Sequence, residues 1–489
     1  AAMVLTPLSV SAQTCPFDDS SSSLAREGLV LTRHALGMTG AALVNGTDFT
    51  LTDAGTIATT IDCPSCGLDI NGNGNFDTVD ATIISRKIAG YSGAALTNGL
   101  ALGSGTRNTP AAVQSFLLAG CGQAAATKLK PRVLKRNVDV VNTGQYSSTT
   151  TGSDGFPIIA YHDQGAGHLK VAHCDDIECS TSTITTLDAT GNVGKFPSIT
   201  VGPDGMAAIS YYDQTNGALK LAVCANVVCS TAALMTVDNN NNVGQYSSIA
   251  IGEFGKLAIS YYDATSFDLK LAVCQNFPTC TAGGLGFNFF TVDSAGDVGA
   301  WSAIVYGNTT GSGFSSRLTI AYFDNTNNTV KLAFCSGSTC TAPAFAVVES
   351  LGTDSADGIS LVLGDNNAPV LSYYKRSSAT SALARITICD GPNCAAPLLR
   401  TGGSSGYREQ LSSITIGSNG FPVAAFGAAT ADCSTGGSGT IHRVVRCHDA
   451  TCASLSASFP SFALGQSPSM TIGVDGNPFF SLEACGSSG

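Results

Sequence analysis

Charge is what this sequence has least of. Only 12% of its 489 residues are Asp, Glu, Lys or Arg, and their balance is acidic, −11 at pH 7. Nucleic acid is excluded as a partner, because its phosphates need a basic footprint. No apolar run reaches the length of a membrane-crossing helix, so no membrane span is expected. The arginines are few and scattered, there is one tryptophan, Trp301, and the six histidines (His34, His162, His168, His173, His442 and His448) show no metal-ligand spacing. A Gly-x-Ser-x-Gly elbow and a phosphate loop are both missing. These absences together predict a chain that is not an enzyme.

What is present is repetition. Gly194 to Cys229 is said again by Gly244 to Cys280, and Gly144 to Cys179 is an earlier copy. Each copy holds a β-branched run (Ile199, Val201), a turn (Gly202 to Gly205), a strand ending in Tyr211-Tyr212-Asp213 and a further strand, Leu219 to Cys224. A period of about 50 residues with strand-like chemistry is the mark of propeller blades. Units begin near Gly144, Gly194, Gly244, Gly299, Asp357, Gly406 and Gly465. The last holds two strands, Ser469 to Gly473 and Asn477 to Cys485, so Lys128 to Lys135 and Asn137 to Val141 are expected to complete it and close the ring. The fold class expected is mainly β, a seven-bladed β-propeller over 127–489 with a small α-helical calcium-binding domain before it.

Of the 18 cysteines, six pairs recur at one place in successive repeats. These are Cys174/Cys179, Cys224/Cys229, Cys274/Cys280, Cys335/Cys340, Cys389/Cys394 and Cys447/Cys452, read as disulfides that pin hairpin ends. A bond between Cys433 and Cys485 would clamp the closure. Disulfides imply export, hence a secreted, extracellular or cell-surface protein. Cys15, Cys63, Cys66 and Cys121 form a further set of four whose pairing stays open.

Residues 1–14 are apolar, and two readings are open. They are the end of an export signal cut before Gln13, or an assembly strand in which Val4, Leu5, Leu8 and Val10 pair with an open sheet edge. Over 15–126 the chain duplicates a helical unit, Leu31 to Leu43 recurring as Ile84 to Leu96. Before the second helix, Ala81 to Ala89, Asp69, Asn71, Asn73, Asn75, Asp77 and Asp80 stand at the spacing of a calcium loop, with Gly74 at the sharp turn. With Asp80 as last ligand and a single following helix, 15–126 resembles a dockerin domain. That resemblance implies calcium as cofactor and a protein partner for docking. The matching first loop, Asp18 to Glu27, is shorter and has lost the acid pattern.

The repeated Tyr-Tyr-Asp is read as packing, with each Asp pairing across a hairpin to a Lys: Asp163/Lys170, Asp213/Lys220, Asp263/Lys270 and Asp324/Lys331. The Gly-x-Asp-Gly turns are similar to those of sialidase-type propellers but lack their signature. The repeat itself resembles one found in secreted bacterial proteins. The expected function is a non-catalytic secreted structural or adhesive protein, assembling with copies of itself or a cell-surface protein into a filament or surface layer. The alternative is a glycan-binding or glycan-cleaving propeller attached through its dockerin-like part.

Overall fold

The computed structural model describes parts of residues 69–113, residues 138–139 and most of 144–481. The chain divides into two compact units, 1–132 and 133–489.

In the first unit one helix is described, Thr78–Ile88. It starts before Ala81 because Asp77 caps it. The Asp77 carboxylate accepts from Val79 N at 2.8 Å, and Asp80 Oδ2 accepts from Asp77 N at 3.0 Å. This is a reciprocal capping box with Asp in the place of Glu. Ile70, Ile83, Leu102 and Val113 form the core of that unit.

The second unit is mainly β: six four-stranded antiparallel sheets and one described two-stranded sheet. The second sheet shows why each segment lies where it does. Its second strand, Ala207–Asp213, is buried along its whole length and is apolar but for Ser210 and the terminal Asp213. Its fourth, Ala232–Asp238, exposes Ala233 and Leu234 and then alternates, Met235 and Val237 buried and Thr236 and Asp238 half-buried, as an outer strand covered on one side does.

The first strands of the seven sheets are Gln145–Thr151, Val193–Val201, Val243–Ile251, Val298–Tyr306, Ser355–Leu363, Ser412–Ile416 and Ser469–Ile472. Each lies against the next, and the last lies against the first. A serine ladder holds this cycle together. Ser148 Oγ accepts from Ile199 N, Ser198 from Ile249 N, and Ser248 from Ile304 N, each at 3.2 Å. Ser360 takes Ile414 N at 3.1 Å and Ser413 takes Met470 N at 3.0 Å. Thr149 N donates to Ser469 Oγ at 2.9 Å and closes the cycle. Ala303 occupies the one serine position that cannot accept. The glycine that opens the second, third and fourth sheets is required by a similar crowding. A Cβ on Gly194, at φ +87°, would stand 2.7 Å from Leu169 Cα, and Gly244 and Gly299 meet Leu219 and Leu269 at the same distance.

A second set of bonds joins the sheets near their outer strands. Tyr211 OH donates to Asp188 Oδ2 of the preceding sheet at 2.8 Å, and the Lys220 ammonium lies on the same oxygen. Tyr261 holds Asp238 at 2.7 Å, and Tyr322 holds Asp293 at 2.6 Å with Lys331 also at 2.6 Å. Tyr161 and Lys170 hold Asp139 at 2.6 and 3.1 Å, so a residue upstream of the first sheet fills the same role. The hairpin pairs exist as well, Lys170 to Asp163 at 2.9 Å and Lys331 to Asp324 at 3.4 Å, but Lys220 stands 3.9 Å from Asp213. Lys170, Lys220 and Lys331 are therefore shared, with the neighbouring sheet's acid the closer partner for Lys220 and Lys331, while Lys270 meets only its hairpin partner Asp263 among the described residues, at 3.8 Å.

The fifth sheet solves the same problem with its charges exchanged. Arg385 stands opposite Tyr373, where Lys220 stands opposite Tyr211. Glu349 then takes Tyr373 at 2.6 Å and both Lys375 and Arg385 at 3.1 Å. In the sixth sheet Phe426 faces Arg443, and Arg443 donates to the Gly402 carbonyl at 3.0 Å. The guanidinium occupies the place of an absent side chain: a Cβ on Gly403 would lie 1.4 Å from it.

All six short cysteine pairs are disulfides: Cys174–Cys179, Cys224–Cys229, Cys274–Cys280, Cys335–Cys340, Cys389–Cys394 and Cys447–Cys452. All twelve residues are buried. They sit at the ends of the hairpins formed by third and fourth strands, each bond closing a loop of the connection rather than tying strand to strand. The first cysteine ends a third strand, or follows it directly in the case of Cys389, and the second lies in the connection to the fourth strand. Cys340 stands between Thr329–Cys335 and Ala344–Ser350, and Cys452 stands between Thr440–Cys447 and Leu455–Ser458. A separation of five or six residues is the reason, since it reaches no further than one tight loop. At Cys179, Cys229, Cys394 and Cys452 that loop turns back through a left-handed residue, with φ between 51° and 52°. Cys15, Cys63, Cys66, Cys121, Cys433 and Cys485 lie outside the described residues, as do Val4, Leu5, Leu8 and Val10.

Burial works to raise the Asp188 carboxyl, but Lys220 and Tyr211 outweigh it and hold it down at about 2, from an ordinary 3.8. A depressed acid stabilises the fold above its unfolded value and loses that contribution as pH falls through its folded value. Unfolding by urea between pH 5 and 2 should therefore show wild-type stability falling toward pH 2. Asp188→Asn should be less stable by about 3 kcal/mol near neutrality, with a shallower fall in acid. Equal slopes for the two chains would contradict the latch.

Candidate functional site

Two residues after the opening glycines stand Tyr146, Phe196, Tyr246 and Trp301, with φ of 55°, 49°, 53° and 54°. The first strands bulge at this point, which turns these residues out of register with their neighbours. A left-handed backbone costs a bulky residue about 1–3 kcal/mol and persists where its surroundings impose it. Here four successive strands keep it and bring four rings together. Tyr146 and Phe196 are 4.4 Å apart, while Phe196 and Tyr246, and Tyr246 and Trp301, are each 4.5 Å apart between centroids. Phe196 and Trp301 meet edge to face at 6.1 Å. All four are half-buried.

The rings continue outward. Tyr246 neighbours Tyr262 at 6.2 Å, and Tyr262 neighbours Phe267 at 6.5 Å. Phe267 is 50% exposed. The result is an aromatic track that runs from the cycle of first strands to solvent.

In the fifth sheet the ring position is Gly358, at φ 61°, and no aromatic is contributed. The residue before it, Asp357, lies where the second and third sheets have Lys195 and Gln245. Its Oδ2 is 2.6 Å from Arg376. Burial raises the Asp357 carboxyl above its ordinary value although Arg376 opposes it. Burial, then Asp357 and Asp297, raise the Tyr246 hydroxyl. Tyr262 OH donates to Asp297 at 2.8 Å. Burial also lowers the Lys195 ammonium. Flat apolar faces thus stand beside a carboxylate, a guanidinium and hydroxyls, a combination that suits ligands with one apolar and one hydroxylated side.

The repeated Tyr-Tyr-Asp is accounted for without a ligand. Its first Tyr joins sheets, and its second reaches the connection to the next sheet, as Tyr212 does with Asn242 at 2.6 Å. Its Asp caps the following turn, Asp213 accepting from Asn216 N at 3.0 Å. Sequence reading passed over the ring position, although its pattern was visible as an aromatic two places after Gly144, Gly194, Gly244 and Gly299.

The calcium-loop residues fall together, with Asn75 outside the described residues. Asp80 is buried, and its Oδ1 accepts from Ile70 N and Asn71 N at 2.8 and 2.9 Å. Asn73 N donates to Asp69 Oδ1, and Asn73 Nδ2 to Asp77 Oδ2, both at 3.0 Å. The donor set is all oxygen, as a hard cation requires, and burial followed by the charges of Asp77 and Asp69 works to raise Asp80. Among the described residues no group of three or more His, Cys, Asp or Glu is gathered for a metal.

No protein-family model matches the chain, and no curated protein matches it. Solved structures of similar outline include a variant of AofleA from Arthrobotrys oligospora, 12% identical over 66% of this chain and 87% of that one, with a TM-score of 0.43. An α-L-arabinofuranosidase from Lactobacillus brevis is 11% identical over 58% of this chain and 92% of that one, with a TM-score of 0.34. The polysaccharide lyase Uly1 is 8% identical over 68% of this chain and 94% of that one, with a TM-score of 0.34. Identities this low transfer no activity. The expectation that the chain is not an enzyme is nevertheless corrected, because such structures are mostly enzymes, a second arabinofuranosidase and a puromycin hydrolase among them. Missing motifs of other folds did not justify that exclusion.

The left-handed backbone makes its own prediction. In a strand, Gly is ordinarily about 0.5–1 kcal/mol worse than Ala. At Phe196 the order should reverse, Phe196→Gly unfolding at higher urea than Phe196→Ala. The usual order would show that the backbone there is not left-handed.

Proposed function

We propose that residues 133–489 form a seven-bladed β-propeller that binds a glycan along its aromatic track. The carrying observation is that four successive first strands hold bulky rings in a costly backbone conformation and aim them at one place. Sugar rings present C–H faces that stack on aromatic faces, and their hydroxyls suit Asp357, Arg376 and Asp297 at the track's side. Exposed Phe267, beyond the buried Tyr262, adds a further apolar face near the four rings and suits a ligand of several sugars. The seven first strands in a closed cycle support the propeller, and Asp139 supports completion of the last blade from the N-terminal side. Six buried disulfides support secretion, and among the described residues no helix is long and apolar enough to cross a membrane. Attachment falls to the dockerin-like stretch, 15–126.

Trp301 is the chain's one tryptophan, so its fluorescence reads this site alone. Titration with a panel of neutral and acidic oligosaccharides should give a saturable change for at least one class. Phe267→Ala and Tyr246→Ala should weaken that response about tenfold or more. New reducing ends in the same incubation would assign cleavage as well as binding. A panel with no response, or variants that bind as wild type does, would refute the site.

We also propose calcium for the loop Asp69 to Asp80, on the strength of its oxygen donors and crowded acids. Calorimetric titration should show binding to the native chain and its loss in Asp69→Asn/Asp77→Asn. Absence of heat in the native chain would reject it.

A further inference from the structure

Nine large hydrophobic residues are exposed among those described, and seven of them are on the outer, fourth strands of sheets. That distribution is not scatter. Ile184, Leu234, Phe289, Phe345 and Leu399 are 40%, 39%, 43%, 47% and 37% exposed. They occupy one register position in five successive sheets, opposite Ala172, Ala222, Ala272, Ala333 and Thr387 of the third strands. Each outer strand is hydrogen-bonded on one side only among the described residues. Its other side presents a row of backbone N–H and C=O groups.

Soluble proteins usually blunt such edges with lysine or proline. Ser182–Asp188, Ala232–Asp238, Phe287–Asp293 and Ala344–Ser350 contain neither, nor any arginine. The one acid of each lies at or next to its end, and in three of the four a tyrosine and a lysine of the following sheet hold it. The exposed part of the edge is therefore neutral on a chain of net charge −11.

We propose that these edges are an interaction surface for a second copy of this chain, paired strand to strand in antiparallel fashion. The occupant follows from the chemistry. An unpaired backbone row takes an extended strand, and an apolar residue at a fixed position takes an apolar neighbour. Two acidic chains repel over most of their surfaces, so contact falls where both are neutral. Antiparallel pairing of like edges also sets the end acids of the two copies at opposite ends of the joint. The same edge satisfies itself, which is the condition for a two-fold contact. Four such edges around one body allow more than one neighbour, and hence growth beyond a dimer.

Sedimentation of the full chain at rising concentration tests this, with amide exchange as a second reading. Wild type should associate, and the amides around Phe289 and Phe345 should slow with concentration. Ile184→Lys/Phe289→Lys should weaken association about tenfold or more. Its thermal unfolding when dilute should be unchanged, because both side chains are already exposed. A wild-type chain that remains monomeric overturns the proposal, and so does a lysine variant that associates normally. Association lost on removing residues 1–14 but kept in the lysine variant would assign the contact to the N-terminal segment and overturn edge pairing.

Discussion

The carboxylate at the end of an outer strand, gripped by the next sheet's tyrosine and lysine, is the interaction on which the second unit depends. Each sheet buries both faces against its neighbours, and a few backbone bonds, such as Val193 N to Gly167 O, Val243 N to Gly217 O and Val298 N to Phe267 O, join one sheet to the next, while side chains make the other polar ties. Apolar packing would let adjacent sheets slide, because it is not directional. A buried acid with two fixed donors does not, and breaking one partner leaves a charge without compensation. The serine ladder does the same work at the first strands. Two polar seams, one near the axis and one outside it, therefore fix the angle between sheets while the apolar layer between them supplies the burial.

Where the repeat departs from its rule, the seam is rebuilt rather than lost. Glu349 takes a tyrosine, a lysine and an arginine where other sheets use an aspartate, a tyrosine and a lysine. Arg443 uses a carbonyl beside Gly403, a position that admits no side chain. The body is thus built to stay closed, which makes it a suitable carrier for strain. The left-handed rings at Tyr146, Phe196, Tyr246 and Trp301 stand on first strands whose neighbours are bonded into the cycle. The fifth sheet, which relieves that strain through Gly358, is also the one that places Asp357 beside the track.

Much of this was legible in the sequence. The period, the turn chemistry and the cysteine spacing pointed to the sheets and six disulfides, because each is a local pattern repeated. The pairing of Cys335 with Cys340 and of Cys447 with Cys452, and their place in a short loop at a hairpin end, followed from spacing. The partners of Asp188 and Asp238 were not legible, since a sequence offers the lysine seven residues after its own aspartate and not the acid of the preceding sheet. The aromatic after Gly194 was visible but looked like one more alternating strand residue. Its meaning depends on a bulge and a positive φ, which no periodicity reveals. The exclusion of catalysis failed for another reason, because it rested on motifs belonging to other architectures.

The most direct test is an experimental density map of the native chain at side-chain detail. The account predicts seven sheets around a closed cycle of first strands, with the rings of Tyr146, Phe196, Tyr246 and Trp301 in tilted contact, each with the next, on left-handed backbone. A cycle of another number, or those four rings dispersed between sheets on ordinary strand backbone, would contradict it.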